Sequence, residues 1–139
     1  MIHEQRAADE SAMIALGAAA AESVRNGMVI ALVGDLGAGK THWTKGFAAG
    51  LGCKGEITSP TFGILHEYPG GRLPVRHFDF YRLESEAELL ALGWDEILES
   101  PGVVVAEWAD KFPDLFPAET VWLRFSIDPD GARRVGRRG

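Results

Sequence analysis

The chain reads as an α/β protein with a mixed, mainly parallel β-sheet between helical layers, and three observations predict it. Residues 34–41 are Gly-Asp-Leu-Gly-Ala-Gly-Lys-Thr, which meets G-x-x-x-x-G-K-[ST] at every fixed position. The run Met28 to Val33 just before it is apolar and β-branched, with the length of a buried strand. After it, Trp43, Phe47, Ala48 and Leu51 fall on one helix face. A glycine-rich loop that leaves a strand and opens a helix is the phosphate-binding loop of P-loop NTPases. A three-layer sandwich of that type is therefore expected.

The elements follow in chain order. Asp9 to Val24 is predicted helical, with acids in its first turn, many alanines and a stop at Asn26-Gly27. Strand 28–33, the loop and a helix to about Leu51 come next, with Gly50 and Gly52 to end the helix. Phe62 to Tyr68 and Leu73 to Tyr81 read as two strands, and Pro69-Gly70-Gly71 between them predicts a hairpin. Ser85-Glu-Ala-Glu88 fits a capping box opening a short helix to Gly93, and Trp94 to Glu99 adds a turn or two before Pro101-Gly102. Val103 to Ala106 is a buried strand ending at Glu107. Thr120 to Ile127 alternates, with Val121, Leu123, Phe125 and Ile127 on one face. Asp128-Pro-Asp-Gly131 is turn-forming, and its likeness to a D-x-x-G motif is read as no more than that.

Size and charge bound the rest. At 139 residues one domain is expected, over 1–128, with 129–139 as a flexible basic tail carrying Arg133, Arg134, Arg137 and Arg138. Twenty acids against 14 bases give a net charge of −6. That disfavours DNA as a partner, because non-specific binding to the duplex needs a basic footprint. The single cysteine, Cys53, cannot form an internal disulfide and suits a reducing cytoplasm. No basic n-region followed by an apolar stretch opens the chain, and the alanine-rich stretch 12–21 is too short to span a membrane. The four histidines lack zinc spacing.

The chemistry centres on the loop. Its backbone N–H groups curl round a β-phosphate, the Lys40 ammonium reaches the β- and γ-oxygens, and the Thr41 hydroxyl holds Mg²⁺. The expected nucleotide-binding set is Gly34, Asp35, Leu36, Gly37, Ala38, Gly39, Lys40, Thr41 and the adjoining His42. Thr58-Ser-Pro-Thr61 is a hydroxyl-rich loop of the kind that meets the metal or the γ-phosphate, and it adds Thr61. Glu107 ends an apolar strand, where open α/β sheets place their ligands, and is the first candidate for the carboxylate that manages Mg²⁺ and the attacking water. The alternative is a solvated strand end. Asp79 is second: alternation puts His77, Asp79 and Tyr81 on one face and Phe78 and Phe80 on the other. Asp79 serves the metal or a switch, or else it pairs with Arg76 or Arg82. Lys40, Glu107 and Asp79 are thus the catalytic candidates, and Thr41, Glu107 and Asp79 the metal candidates. No N-K-x-D guanine motif occurs, so the nucleotide is expected to be ATP.

In this order the segments resemble the TsaE (YjeE) family, small bacterial ATPases of tRNA threonylcarbamoyladenosine biosynthesis. The matching pieces are Gly34 to Thr41, Leu51-Gly52, Ile57-Thr-Ser-Pro-Thr-Phe62, His77-Phe-Asp-Phe-Tyr-Arg82, Glu88-Leu89 with Leu92-Gly93, and Glu107-Trp108. His42-Trp43 departs from the family's usual threonine and smaller apolar residue. The resemblance implies a cytosolic ATPase in which Thr58–Thr61 and Asp79–Arg82 are two switches and Glu107 is the magnesium-linked acid beside Trp108. It implies as partners TsaB and TsaD, which transfer a threonylcarbamoyl group to adenosine 37 of tRNAs that read ANN codons. ATP turnover by this chain would reset or regulate the TsaB–TsaD complex, with direct tRNA contact left open. Two rivals stand beside it: a small-molecule kinase on the same loop, and an adaptor that binds nucleotide without hydrolysing it. The acidic stretch 84–100 carries no Arg or Lys, which disfavours a kinase lid there.

Overall fold

The computed structural model describes residues 4–55, the backbone of 57–58, and residues 63–138. Among these, eight strands form one sheet, interleaved with helices: β1 (Gln5–Ala7), α1 (Glu10–Ala20), β2 (Val29–Gly34), α2 (Lys40–Gly50), β3 (Ile57–Thr58), β4 (Leu65–Tyr68), β5 (Val75–Asp79), α3 (Glu86–Ala91), α4 (Trp94–Glu99), β6 (Val103–Glu107), β7 (Val121–Ile127) and β8 (Arg133–Arg137). The strand order is β1-β8-β7-β2-β6-β5-β4-β3. The four central strands, β7-β2-β6-β5, pair in parallel. The outer strands on both sides pair antiparallel, so parallel pairing is confined to the middle of a mixed sheet.

Apolar alternation in the central strands feeds a core on each face. Ile30 and Leu32 of β2 and Val103 and Val105 of β6 pack with Met13, Trp43 and Phe47 of α1 and α2. Val29, Ala31 and Val33, with Val104 and Ala106, pack on the other face with Leu89 and Trp94 of α3 and α4. Strands buried on both faces read as unbroken apolar runs, which is why the 28–33 and 103–106 runs are continuous. Trp43, one of the two residues that depart from the resemblance, is fully buried, stacked on Phe47 and edge-on to Phe125.

Helices α1 and α2 meet backbone to backbone. A Cβ built on Gly46 would lie 1.9 Å from the Ile14 carbonyl oxygen, and one on Gly17 would lie 2.0 Å from that of Trp43. Only hydrogen fits at either position. The Asp9 carboxylate caps α1, accepting the Ala12 N–H at 2.8 Å. The helix closes in a 3₁₀ turn over Ala21–Ser23. Ser85 caps α3, accepting the Glu88 N–H at 3.3 Å, while the Glu88 carboxylate reaches back to the Glu84 N–H at 3.0 Å, one residue earlier than a regular capping box.

Three expectations need correction. The basic segment after Pro129 is not a flexible tail: β8 lies between β7 and β1, and Val135 is fully buried. The Asp128–Gly131 turn folds it back, with the Gly131 N–H on the Asp128 oxygen, and Arg134 pairs with Asp128 at 2.9 Å. Arginines beside one valine read as solvated because their charges are visible in sequence and their partners are not. Strand β5 stops at Asp79, whose side chain accepts the Tyr81 N–H and starts a 3₁₀ turn over Phe80–Arg82, so Tyr81 sits beyond the strand. At the end of β7, Ile127 is 40% exposed, past the edge of the core that Val121, Leu123 and Phe125 enter. The hairpin 62–81 is present as β4–β5, shorter than expected. Strand β1 has no signal in the sequence beyond three residues.

Candidate functional site

The site forms where β2, β6 and β5 end. Parallel pairing aligns Leu32 with Glu107 and Glu107 with Asp79, so both carboxylates arrive at one sheet edge beside the loop. Alternation puts His77, Asp79 and Glu107 on the face covered by α2. Gly39 caps α2 with φ at 104° and no side-chain cap. The first-turn N–H groups therefore keep their place for an anion, and the helix dipole points its positive end the same way.

Lys40 is folded over its own loop. Its ammonium donates to the carbonyl oxygens of Gly34 at 2.9 Å and Asp35 at 2.8 Å, and it lies 4.4 Å from the Trp108 ring centroid. Burial holds the Lys40 ammonium below its ordinary pKa, against the opposing charges of Glu107, Asp110, Asp35 and Asp79. Trp108 reaches that position with φ at 57°, the one positive φ among the described non-glycine residues, and its ring packs on Tyr81 at 5.2 Å. A bulky residue in the left-handed region costs energy, and such residues cluster where function requires them.

Glu107 is 5% exposed. Its Oε2 lies 2.5 Å from His77 Nε2, and the Thr41 hydroxyl stands 3.2 Å from Oε1 and 3.1 Å from Oε2. Burial pushes the Glu107 carboxyl up. The hydrogen bond from His77, the charge of that ring when protonated, the Thr41 hydroxyl and the Lys40 ammonium together outweigh burial, and the net direction is down. Thr41 and Glu107 offer a pair of hard oxygen ligands. Among the described residues no three His, Cys, Asp or Glu side chains converge into a metal cage. The pair suits a cation that brings water and phosphate ligands with it, as Mg²⁺ does.

A cavity of about 320 Å³ is lined by Lys40, Thr41, Asp79, Glu107, Tyr81 and Trp108 among others. It gathers the three catalytic candidates and all three metal candidates. Asp79 reaches the cavity wall while its carboxylate accepts from its own turn. The turn is held from the other side by Lys111, which donates to the carbonyls of Tyr81 and Leu83. Of the loop, Leu36 is 75% exposed, whereas Ala38 is buried and donates its N–H to the Asp35 oxygen at 3.2 Å. Asp35 gives its own N–H to Phe125. Thr61 lies outside the described residues, and of the Thr58–Thr61 segment only the Thr58 backbone, at the end of β3, is described.

No motif assigns His77 a task, and two other features of the site emerge only from the fold. Arg133, part of the supposed tail, donates from Nε to the Gly37 oxygen at 3.0 Å. A second cavity of about 260 Å³ adjoins the loop between Asp9, Met13, His42 and Arg133. His42 lines both cavities and stands 3.6 Å from Glu10. No local signal marks Arg133, since 96 residues separate it from Gly37. Alternation with Asp79 is the signal that pointed to His77. Cys53, half-buried, has its thiol pushed up by burial, away from nucleophilic behaviour.

Comparison with known proteins fits this geometry to a family. The model of the family described as "Threonylcarbamoyl adenosine biosynthesis protein TsaE" matches residues 7–135. The "tRNA threonylcarbamoyladenosine biosynthesis protein TsaE" of Bacillus subtilis (strain 168) is 45% identical over 109 residues, covering 78% of this chain and 68% of the relative. The protein of that name from Nostoc sp. is 42% identical over 131 residues, covering 92% and 80%. Among solved structures, that of Bacillus subtilis YdiB superposes with a TM-score of 0.79 at 34% identity, covering 99% of this chain and 86% of that one.

Proposed function

The chain belongs to the TsaE family of tRNA threonylcarbamoyladenosine biosynthesis, and from that premise we propose that it is a Mg²⁺-dependent ATPase of this pathway. The observation that carries the proposal is the meeting of Lys40, Thr41 and Glu107 at an uncapped helix N-terminus. The N–H groups of the loop and first turn of α2 hold the phosphates. Lys40 exchanges its carbonyl partners for β- and γ-phosphate oxygens. Thr41 and Glu107 would hold Mg²⁺, directly or through water, and the bound ion would supply charge neutralisation for the phosphates. Glu107 also orients the attacking water, and Asp79 with Thr61 registers the γ-phosphate. Catalysis is then chiefly positioning and electrostatics, the general pattern for phosphoryl transfer. The second cavity, with Asp9, His42 and Arg133 around it, is where the adenosine lies.

The partners in this reading are TsaB and TsaD, and ATP turnover resets their complex. A family of tRNA-modification biosynthesis supports the reading of a cytoplasmic protein. Among the described residues no helix is long and apolar enough to cross a membrane. The kinase reading is the weaker one: the acidic stretch 84–100 forms α3 and α4, anchored on the sheet by Leu89 and Trp94, and offers no arginine to a substrate.

The test is Lys40→Ala, checked for an unchanged melting temperature and assayed for phosphate release from ATP with and without TsaB–TsaD. Turnover is expected to vanish, and wild-type turnover would overturn the mechanism. Phosphate passing to a metabolite instead of water would favour the kinase. Nucleotide-dependent capture of TsaB–TsaD is expected, with ATP and ADP giving different yields. No association in either state would remove the partner assignment.

A further inference from the structure

His77 is a buried polar group to which phosphate binding gives no task. It lies in the middle of β5, 4% exposed, one alternation before Asp79 and on the same face. Its Nε2 stands 2.5 Å from Glu107 Oε2. An ionised carboxylate only accepts, so the hydrogen-bond network assigns the proton to Nε2. The other ring nitrogen, Nδ1, is buried without a partner among the described residues, and the rings of His66 and Tyr68 close over the imidazole at 5.7 Å and 6.4 Å. With Nδ1 unpartnered, the ring's hydrogen bonding runs through Nε2 alone, in one direction and to one oxygen.

We propose that His77 is a positioning residue for the metal site: its Nε2–H grips Oε2 of Glu107, fixes the carboxylate's orientation, and leaves Oε1 beside the Thr41 hydroxyl to meet magnesium. A glutamate has three rotatable side-chain bonds, and at a strand end nothing in the backbone selects among them. Thr41 cannot make the choice, since it stands equally close to both oxygens. His77 can, because its strand is hydrogen-bonded to β6 and its ring is packed. Groups that orient a metal ligand from behind commonly contribute tenfold to a hundredfold in metal affinity. The inference rests on Glu107 serving Mg²⁺, as proposed above.

The experiment compares wild type with His77→Gln, His77→Asn and His77→Leu. Gln carries an amide N–H about as far from the backbone as Nε2, whereas Asn stops short of Glu107 and Leu has no donor. Binding of AMP-PNP is measured calorimetrically across a Mg²⁺ titration and again in EDTA, with a thermal melt for each variant. The Mg²⁺ concentration for half-maximal enhancement of AMP-PNP affinity should rise about tenfold to a hundredfold in His77→Asn and His77→Leu and stay within about threefold of wild type in His77→Gln. Affinity in EDTA should be the same in all four. In the Glu107→Gln background, His77→Asn should shift the Mg²⁺ requirement no further, because its effect passes through the carboxylate. Equal Mg²⁺ dependence in Gln and Asn variants, or a full shift in the Glu107→Gln background, would overturn the proposal. Should the wild type bind no AMP-PNP, or bind it independently of Mg²⁺, the nucleotide reading itself fails, which is a different result from either of these.

Discussion

Gly46→Ala sets two physical effects of opposite sign against each other. In an exposed helix, replacing glycine by alanine stabilises by about 0.5–1 kcal/mol, because the unfolded chain loses freedom. At Gly46 the new Cβ lies 1.9 Å from the Ile14 carbonyl oxygen, where ordinary contact begins at 3.4 Å, so α1 and α2 must part by about 1.5 Å. The obstacle is backbone, and no rotamer change removes it. Overpacking of a close-packed interior costs about 1–3 kcal/mol when side chains can adjust, and more when they cannot. The clash therefore wins, with a net loss of about 2 kcal/mol. For a chain of this size that lowers the melting temperature by roughly 5–10 °C. Thermal and urea melts measure it. Ala49→Gly is the control: Ala49 is exposed on the same helix, and it should lose only the propensity term, about 0.5–1 kcal/mol. A Gly46→Ala variant as stable as wild type, or more so, would show that the two helix backbones do not touch and would refute the packing argument.

Two further outcomes follow from the site and the sheet. The Glu107 carboxyl titrates below the ordinary glutamate value of about 4.3, so it adds stability that is full above that value and is lost as pH falls through the folded-state value. Urea melts from pH 6 to pH 3 should show wild type losing more stability than Glu107→Gln below about pH 4.3, and parallel curves would contradict the direction. Val135→Asp, in β8, should cost about 3–5 kcal/mol by burying a charge with no partner; a change within about 0.5 kcal/mol is what a solvated tail would give.

How much was legible varies with range along the chain. The loop, its strand and its helix were readable because phosphate binding needs glycine, lysine and a hydroxyl at fixed spacings, all within 14 residues of Met28. The runs 28–33 and 103–106 declared themselves as buried strands because both their faces are covered. Glu107 was readable as a strand-end acid. Its two neighbours were not: Thr41 is 66 residues away and His77 is 30. Trp108 was flagged only by the resemblance, and nothing local announces that its backbone turns to positive φ to bring the ring over Lys40. The Arg133–Arg137 strand was misread because its burial rests on one valine, its charges on Asp128 and Glu4, and its hydrogen bonds on two other strands.

Elements with a local cause follow from the residues alone: a loop that only glycine can close round phosphate, apolar runs of strand length, the helix starts at Asp9 and Ser85, and the turn at Asp128–Gly131. Which strand ends lie side by side depends on the assembled sheet. The parallel register of β6 and β5 makes Glu107, His77 and Asp79 neighbours, and α2 packed on that face brings Thr41 to Glu107. The assembled sheet also made a basic segment a paired strand with one buried valine, whose Arg133 reaches the loop. Register is set by many cross-strand contacts at once, and no short stretch of the chain contains that information.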